Sequence, residues 1–149
     1  MAYTASTVGT YKRIGVETAS QGKLIVMMFN GAMQRAEEAR RLLEAGKRDG
    51  VHNNLIRAQE ILGELRGALN MDMGEIARNL DRIYEYIQHL LIQANIRKDS
   101  KPILEAVEHM GAMRDTWIET FEKVAREDAA LPTGMPTGRP SDGLINMKG

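Results

Sequence analysis

Hydrophobic residues recur along the middle of the chain at alternating steps of three and four. They do so in four separate runs. The first lies between about Leu24 and Ala45 and stops at Gly46, a residue suited to the position just past a helix end. The second runs from about Val51 to Leu69, with the stripe Val51, Leu55, Ala58, Leu62, Leu65 and Leu69. The third starts near Gly74 and carries Ile76, Leu80, Ile83, Ile87, Leu90 and Ala94. The fourth opens at Ser100, a good N-cap, with Pro102 in its first turn. It carries Ile103, Val107, Met110, Trp117, Phe121 and Val124. Short connections make neighbouring helices antiparallel. The expected fold is an all-α, up-down four-helix bundle.

The flanks read differently. Residues 1–19 are small, polar and β-branched without a helical period, which predicts a mobile arm. The bundle is expected over 20–127 and a disordered tail over 128–149. Three of the four prolines and four glycines lie beyond residue 130.

The third run has more apolar surface than one seam needs. At about 100° per residue, Tyr86, Leu90, Ile83, Ala94, Ile87, Leu80, Leu91 and Tyr84 cover an arc of roughly 160°. Tyr84 and Tyr86 fall at the two edges, where a ring buries its body and keeps its hydroxyl in water. Ile92 and Ile96 lie on the far side, one turn apart, as a small apolar strip. The first run is also over-wide: "LIVMMF", Leu24 to Phe29, is apolar almost all round. Its excess asks for a second cover. The nearest candidate is the arm, through Tyr11, Ile14 and Val16.

Glycines interrupt the second run at Gly63 and Gly67, one turn apart. Each costs about 1 kcal/mol relative to alanine inside a helix. With Ile56 they mark a shallow groove floored by backbone. It suits either close packing within the chain or the helix of another chain. Arg114 falls between Met110 and Trp117, where the stripe predicts an apolar side chain. A cation there must be paired or reach outward along its stem.

Composition narrows the chemistry. Twenty basic and twenty acidic residues balance, which disfavours nucleic acid as the main partner. No cysteine is present, so thiolate and disulfide chemistry are out. No apolar run is long enough for membrane insertion, and no apolar leader opens the chain. A di-metal bundle needs Glu-x-x-His on two helices. Asp49, Tyr86 and Ala106 stand three places before His52, His89 and His109, so that motif is missing. No metal or cofactor is expected. Glu85 with His89, and Glu105 with His109, read as surface pairs. No nucleophile motif nominates an active site, so a non-enzymatic protein is expected.

Four segments in order, and in register, carry a resemblance. They are Tyr11, Val16 and Thr18-Ala19-Ser20 ahead of LIVMMFNGAM; AQEILGELRGALN; GEIARNLDRIYEYIQHLLIQAN; and MRDTW. Together they closely resemble the flagellar secretion chaperone (FliS) family over about Tyr11 to Val124. The resemblance implies a cytoplasmic, all-helical chaperone that is not an enzyme. It implies that flagellin, bound through its disordered C-terminal segment, is kept from premature polymerisation and delivered to the flagellar export apparatus. Leu24, Met27, Ile56, Gly63, Gly67, Tyr84 and Tyr86 are the residues expected to hold that segment. Val8 and Tyr11 are implied in docking on the export gate protein. Other flagellar regulators are further candidate partners. Self-associating structural bundles and chaperones of another flagellar protein remain alternatives.

Three departures from the family pattern stand out. Where the family often has Pro-Glu-Glu after the serine that begins helix one, Ser20 is followed by Gln21, Gly22 and Lys23. The capping box is lost and a cation meets the helix N-terminus, unfavourable by roughly 0.3–1 kcal/mol. That end is predicted to fray, and amide exchange as slow there as in mid-helix would contradict this. Phe29 replaces the usual tyrosine before Asn30-Gly31, which removes a hydroxyl. The Pro/Gly-rich tail is longer than the family minimum.

Overall fold

The computed structural model describes residues 18–130, with side chains over 21–129. Four α-helices follow one another: α1 (Thr18–Glu44), α2 (Arg48–Gly67), α3 (Glu75–Arg97) and α4 (Ser100–Ala130). A single 3-10 turn, Met71–Met73, sits between α2 and α3. Each helix packs on the next, and α1 closes the ring against α4. The fold is the expected all-α bundle.

The helix ends have local causes. Gly46, at φ 72°, takes the left-handed conformation that ends α1. The Lys47 amide then bonds to the Leu42 carbonyl and the Gly46 amide to the Leu43 carbonyl, the paired bonds of a Schellman motif. At the end of α3 the same reversal falls on Lys98, at φ 51°. A lysine is strained there by roughly 1–2 kcal/mol. Its ammonium offsets part of this by donating to the Asn95 carbonyl and to Asn95 Oδ1. Asn70 caps the 3-10 turn by accepting from the Asp72 amide at 3.1 Å. Gly74 turns the chain into α3 with φ 75° and ψ −134°, a region closed to residues with a Cβ.

Two boundaries shift. Thr18 and Ala19, placed in the arm by sequence, are helical. Residues 128–130, placed in the tail, continue α4. No proline or glycine falls between Gly111 and Ala130 to stop α4.

The core comes from a three-four alternation on every helix. On α3 it runs Ala77, Leu80, Tyr84, Ile87, Leu91 and Ala94. The expected stripe holds at Leu80, Ile87, Leu90 and Ala94 but fails at Ile76 and Ile83, which are exposed, while Tyr84 is 1% exposed. Two apolar stripes lie side by side at the start of α3, one through Ile76 and Ile83, exposed, and one through Ala77 and Tyr84, buried; farther along, Leu90 and Leu91 are both buried. The neighbouring helices choose between them. Phe29 of α1 meets the Tyr84 ring edge-on at 5.7 Å between centroids. Trp117 of α4 donates its indole N–H to the Tyr84 hydroxyl at 2.8 Å. This corrects the expectation that the Tyr84 hydroxyl sits in water. Phe29 is fully buried against the same ring, so a tyrosine there would need a second buried partner.

Candidate functional site

The seam between α2 and α3 is held by polar side chains in register. Gln88 donates to the Gln59 carbonyl at 3.0 Å, and Asn95 bonds His52 at 2.9 Å. Arg66 is the hub. Its Nε and Nη2 grip Asp81 at 2.8 and 3.2 Å, Nη2 also reaches Glu85 at 3.0 Å, and Nη1 donates to Gln88 Oε1 at 2.8 Å. The Arg66 guanidinium holds the Asp81 carboxyl below its ordinary range, first by hydrogen bonding. Sequence spacing gives no sign of this hub. Its carboxylates stand 15 and 19 residues away, far beyond the i,i+4 reach at which charge pairs are recognised.

That register brings two separate sequence signals together. Ile56 lies one turn before Gln59 on α2, and Ile92 lies one turn after Gln88 on α3. Antiparallel helices place these two side chains at the same level. Ile56, Ile92 and Ile96 are all exposed, Ile96 at 72%. They form one apolar strip along the outer edge of the seam. Gly63 continues it on the α2 side. A methyl there would lie 3.3 Å from Gln88 Nε2, so the glycine lets Gln88 cross to the α2 backbone. Gly67 has nothing within 4 Å of an added methyl and leaves the surface open. Next to the strip, Arg66, Arg82, Glu85, Tyr86, Gln88, His89 and Ile92 line a depression of about 400 Å³.

The other candidate residues fall elsewhere. Tyr84 is in the core and offers no surface. Tyr86 is exposed and turns toward α4, where its hydroxyl donates to Glu105 and its ring meets His109 edge-on at 5.6 Å. The Glu105 bond raises the Tyr86 phenol above its usual value. His109 approaches Glu105 at 3.5 Å, the surface pair expected. Glu85 pairs with Arg66 of α2 instead of its helix neighbour His89. Met27 is exposed and Leu24 half-buried on α1, which packs on the other flank of α2. Val8, Tyr11, Ile14 and Val16 lie outside the described residues. So does most of the arm proposed to cover helix one.

Arg114 is resolved as a seam residue. Met113 fills the buried place, one position earlier than the stripe suggested. Arg114 donates to Asn30 Oδ1 of α1 at 3.0 Å and to Asp115 at 3.1 Å. Among the described residues no group of three His, Asp or Glu side chains converges as a metal site. Among them, too, no helix is long and apolar enough to cross a membrane.

The fold and this surface define a small helical bundle whose distinctive feature is an open apolar groove on its outside. Residues 4–124 match the sequence profile of the family described as flagellar protein FliS. The chain is 32% identical over 133 residues to the flagellar secretion chaperone FliS of Salmonella typhimurium, covering 85% of this chain and 98% of that one. It is 31% identical over 125 residues to the Escherichia coli protein of the same name, covering 80% and 92%. It is 29% identical over 117 residues to that of Bacillus subtilis, covering 78% and 87%. The chain belongs to the FliS family of flagellar proteins.

Proposed function

We propose that the protein is a cytoplasmic flagellar export chaperone that acts by binding, with no chemical step. Its client is the disordered C-terminal segment of flagellin, which it keeps from polymerising and delivers to the export apparatus. The observation that carries this reading is the strip of Ile56, Ile92 and Ile96 beside Gly63, on a bundle of this family. An extended or helical segment gains apolar burial there, and its ordering entropy offsets part of the gain. Met27, Leu24 and Gly67 extend the contact around α2, and Tyr86 borders it across α3. Val8 and Tyr11 would dock on the export gate protein.

Co-elution on size exclusion with the same organism's flagellin, intact and lacking its C-terminal segment, tests the client. A complex with the intact form alone is expected. Ile56→Asp and Gly63→Leu then test the surface. Ile56 is exposed, so Ile56→Asp should keep its fold. Gly63→Leu crowds Gln88, so its binding is read only after circular dichroism and a thermal melt show the bundle intact. Each is expected to weaken binding by tenfold or more, about 1.4 kcal/mol. Unchanged affinity in both variants would move the client off this groove. No complex with either flagellin form would turn the search to another flagellar client.

A further inference from the structure

A second strip of exposed apolar side chains lies away from the α2–α3 groove. Met71, Met73, Ile76 and Ile83 all stand in solvent, Ile76 at 57%. Ile76 and Ile83 are seven residues apart and share one flank of α3. Tyr86 continues that flank by one turn, and its contacts with Glu105 and His109 identify it as the flank beside α4. On α4, Ala112 and Thr116 follow His109 at helical spacing. The hydroxyls of Thr116 and Thr120 donate to carbonyls one turn back, at 2.9 and 2.8 Å. Their polar atoms are thereby satisfied on their own helix. The result is a shallow, weakly polar channel running from Tyr86 to Met71. Scattered exposed apolar residues are ordinary, but a continuous strip is not.

The chain itself supplies an occupant. Trp117 meets Tyr84, and antiparallel helices advance in opposite directions. Each step along α4 past Trp117 therefore matches a step back along α3 from Tyr84. Nine steps bring Arg126 level with Glu75, where α3 begins, so the last turn of α4, ending at Ala130, reaches the open end of the channel, where the Met71–Met73 turn leads into α3. Nineteen residues follow Ala130. They begin Leu131-Pro132-Thr133-Gly134, residues suited to a chain reversal. They then carry the apolar cluster Leu144, Ile145 and Met147. Ile76 and Ile83 are about 10 Å apart along α3. The fourteen residues from Ala130 to Leu144 reach up to about 43 Å in an extended Pro-rich form. Length, starting point and apolar content all match.

We propose that residues 131–149 fold back along the α3–α4 channel and seat Leu144, Ile145 and Met147 on Ile76 and Ile83. This inference does not rest on the flagellin reading, which concerns the α2–α3 groove; the two surfaces meet only at Tyr86.

The absence of cysteine makes the test direct. Ser141→Cys introduces a single site for a nitroxide spin label in the full-length protein. Isoleucine methyl signals are then recorded with labelled molecules diluted in unlabelled protein. Ile76 and Ile83 are expected to lose most of their intensity, while Ile92 and Ile96 keep theirs. Adding Leu144→Asp and Ile145→Asp to the same labelled chain should restore the lost signals. Equal signals at all four isoleucines would overturn the proposal, as would a loss centred on Ile92 and Ile96. So would a loss appearing only when spin label and isotope are on different molecules, which would make a second copy the occupant.

Discussion

Tyr84→Phe is expected to destabilise the bundle by about 1–3 kcal/mol, because the Trp117 indole N–H would stay buried with no acceptor. Tyr84→Ala should remove about 3–5 kcal/mol through the cavity left between Phe29 and Trp117. Urea denaturation followed by Trp117 fluorescence measures both. Alkaline pH separates the hydroxyl from the ring. The Tyr84 phenol is pushed up to about 12, chiefly by burial, with the Trp117 bond acting the other way. In an unfolded chain it ionises near 10. The folded state therefore holds the proton more tightly. The associated stability is fully present below pH 10 and is lost as pH rises from 10 to about 12. Two units correspond to something on the order of 2–3 kcal/mol. Tyr84→Phe lacks that loss, so its deficit against the parent should shrink across this window. A constant deficit up to pH 12 would mean that water reaches the hydroxyl.

Gly22→Ala should also destabilise, against the direction that helix propensity predicts. Propensity alone favours alanine by about 1 kcal/mol. Yet a methyl at position 22 would lie 2.6 Å from Phe121 Cγ and 3.1 Å from its Cβ. Those are the root of a ring stacked on Trp117 at 5.4 Å, not the free end of a flexible chain. Overpacking of this kind costs typically 1–3 kcal/mol, so sterics win. Gly67→Ala is the control. It meets nothing within 4 Å and should be neutral or stabilising by up to about 1 kcal/mol. Thermal melts of both variants decide it. Equal shifts of the same sign would show that the α1–α4 contact yields easily at this end.

Where the chain's signals are local, the sequence is a good guide. Gly46 ends α1 and Pro102 lies in the first turn of α4, as their local signals indicate. The cap of α4, however, is Asp99, whose Oδ1 accepts from the Lys101 amide at 3.0 Å, rather than Ser100, which is already helical. The α2 stripe is buried as its spacing indicates. What escapes is whatever depends on a second helix. Tyr84 and Tyr86 look alike on a wheel, and only Phe29 and Trp117 settle which one enters the core. Gly22 reads as a lost capping box, whereas its packing role belongs to Phe121, 99 positions on. Arg66 looks like any surface cation until α3 presents Asp81 and Glu85 to it. The groove was half legible. Ile56 with Gly63, and Ile92 with Ile96, each stood out alone. Their union needed the register set by Gln59, Gln88, His52 and Asn95.

The Arg114–Asn30 contact has a kinetic meaning. It joins residues 84 apart, whereas the other three seams each lie within a hairpin. Chain entropy for closing a loop rises as (3/2)RT ln n. Closing 84 residues thus takes roughly 2–3 kcal/mol more than closing a four-residue turn. Arrival of α1 against α4 is then the late event in folding, and its departure the early one in unfolding. The α2–α3 groove lies opposite that seam and is built entirely within one hairpin. It outlasts the first opening of the bundle.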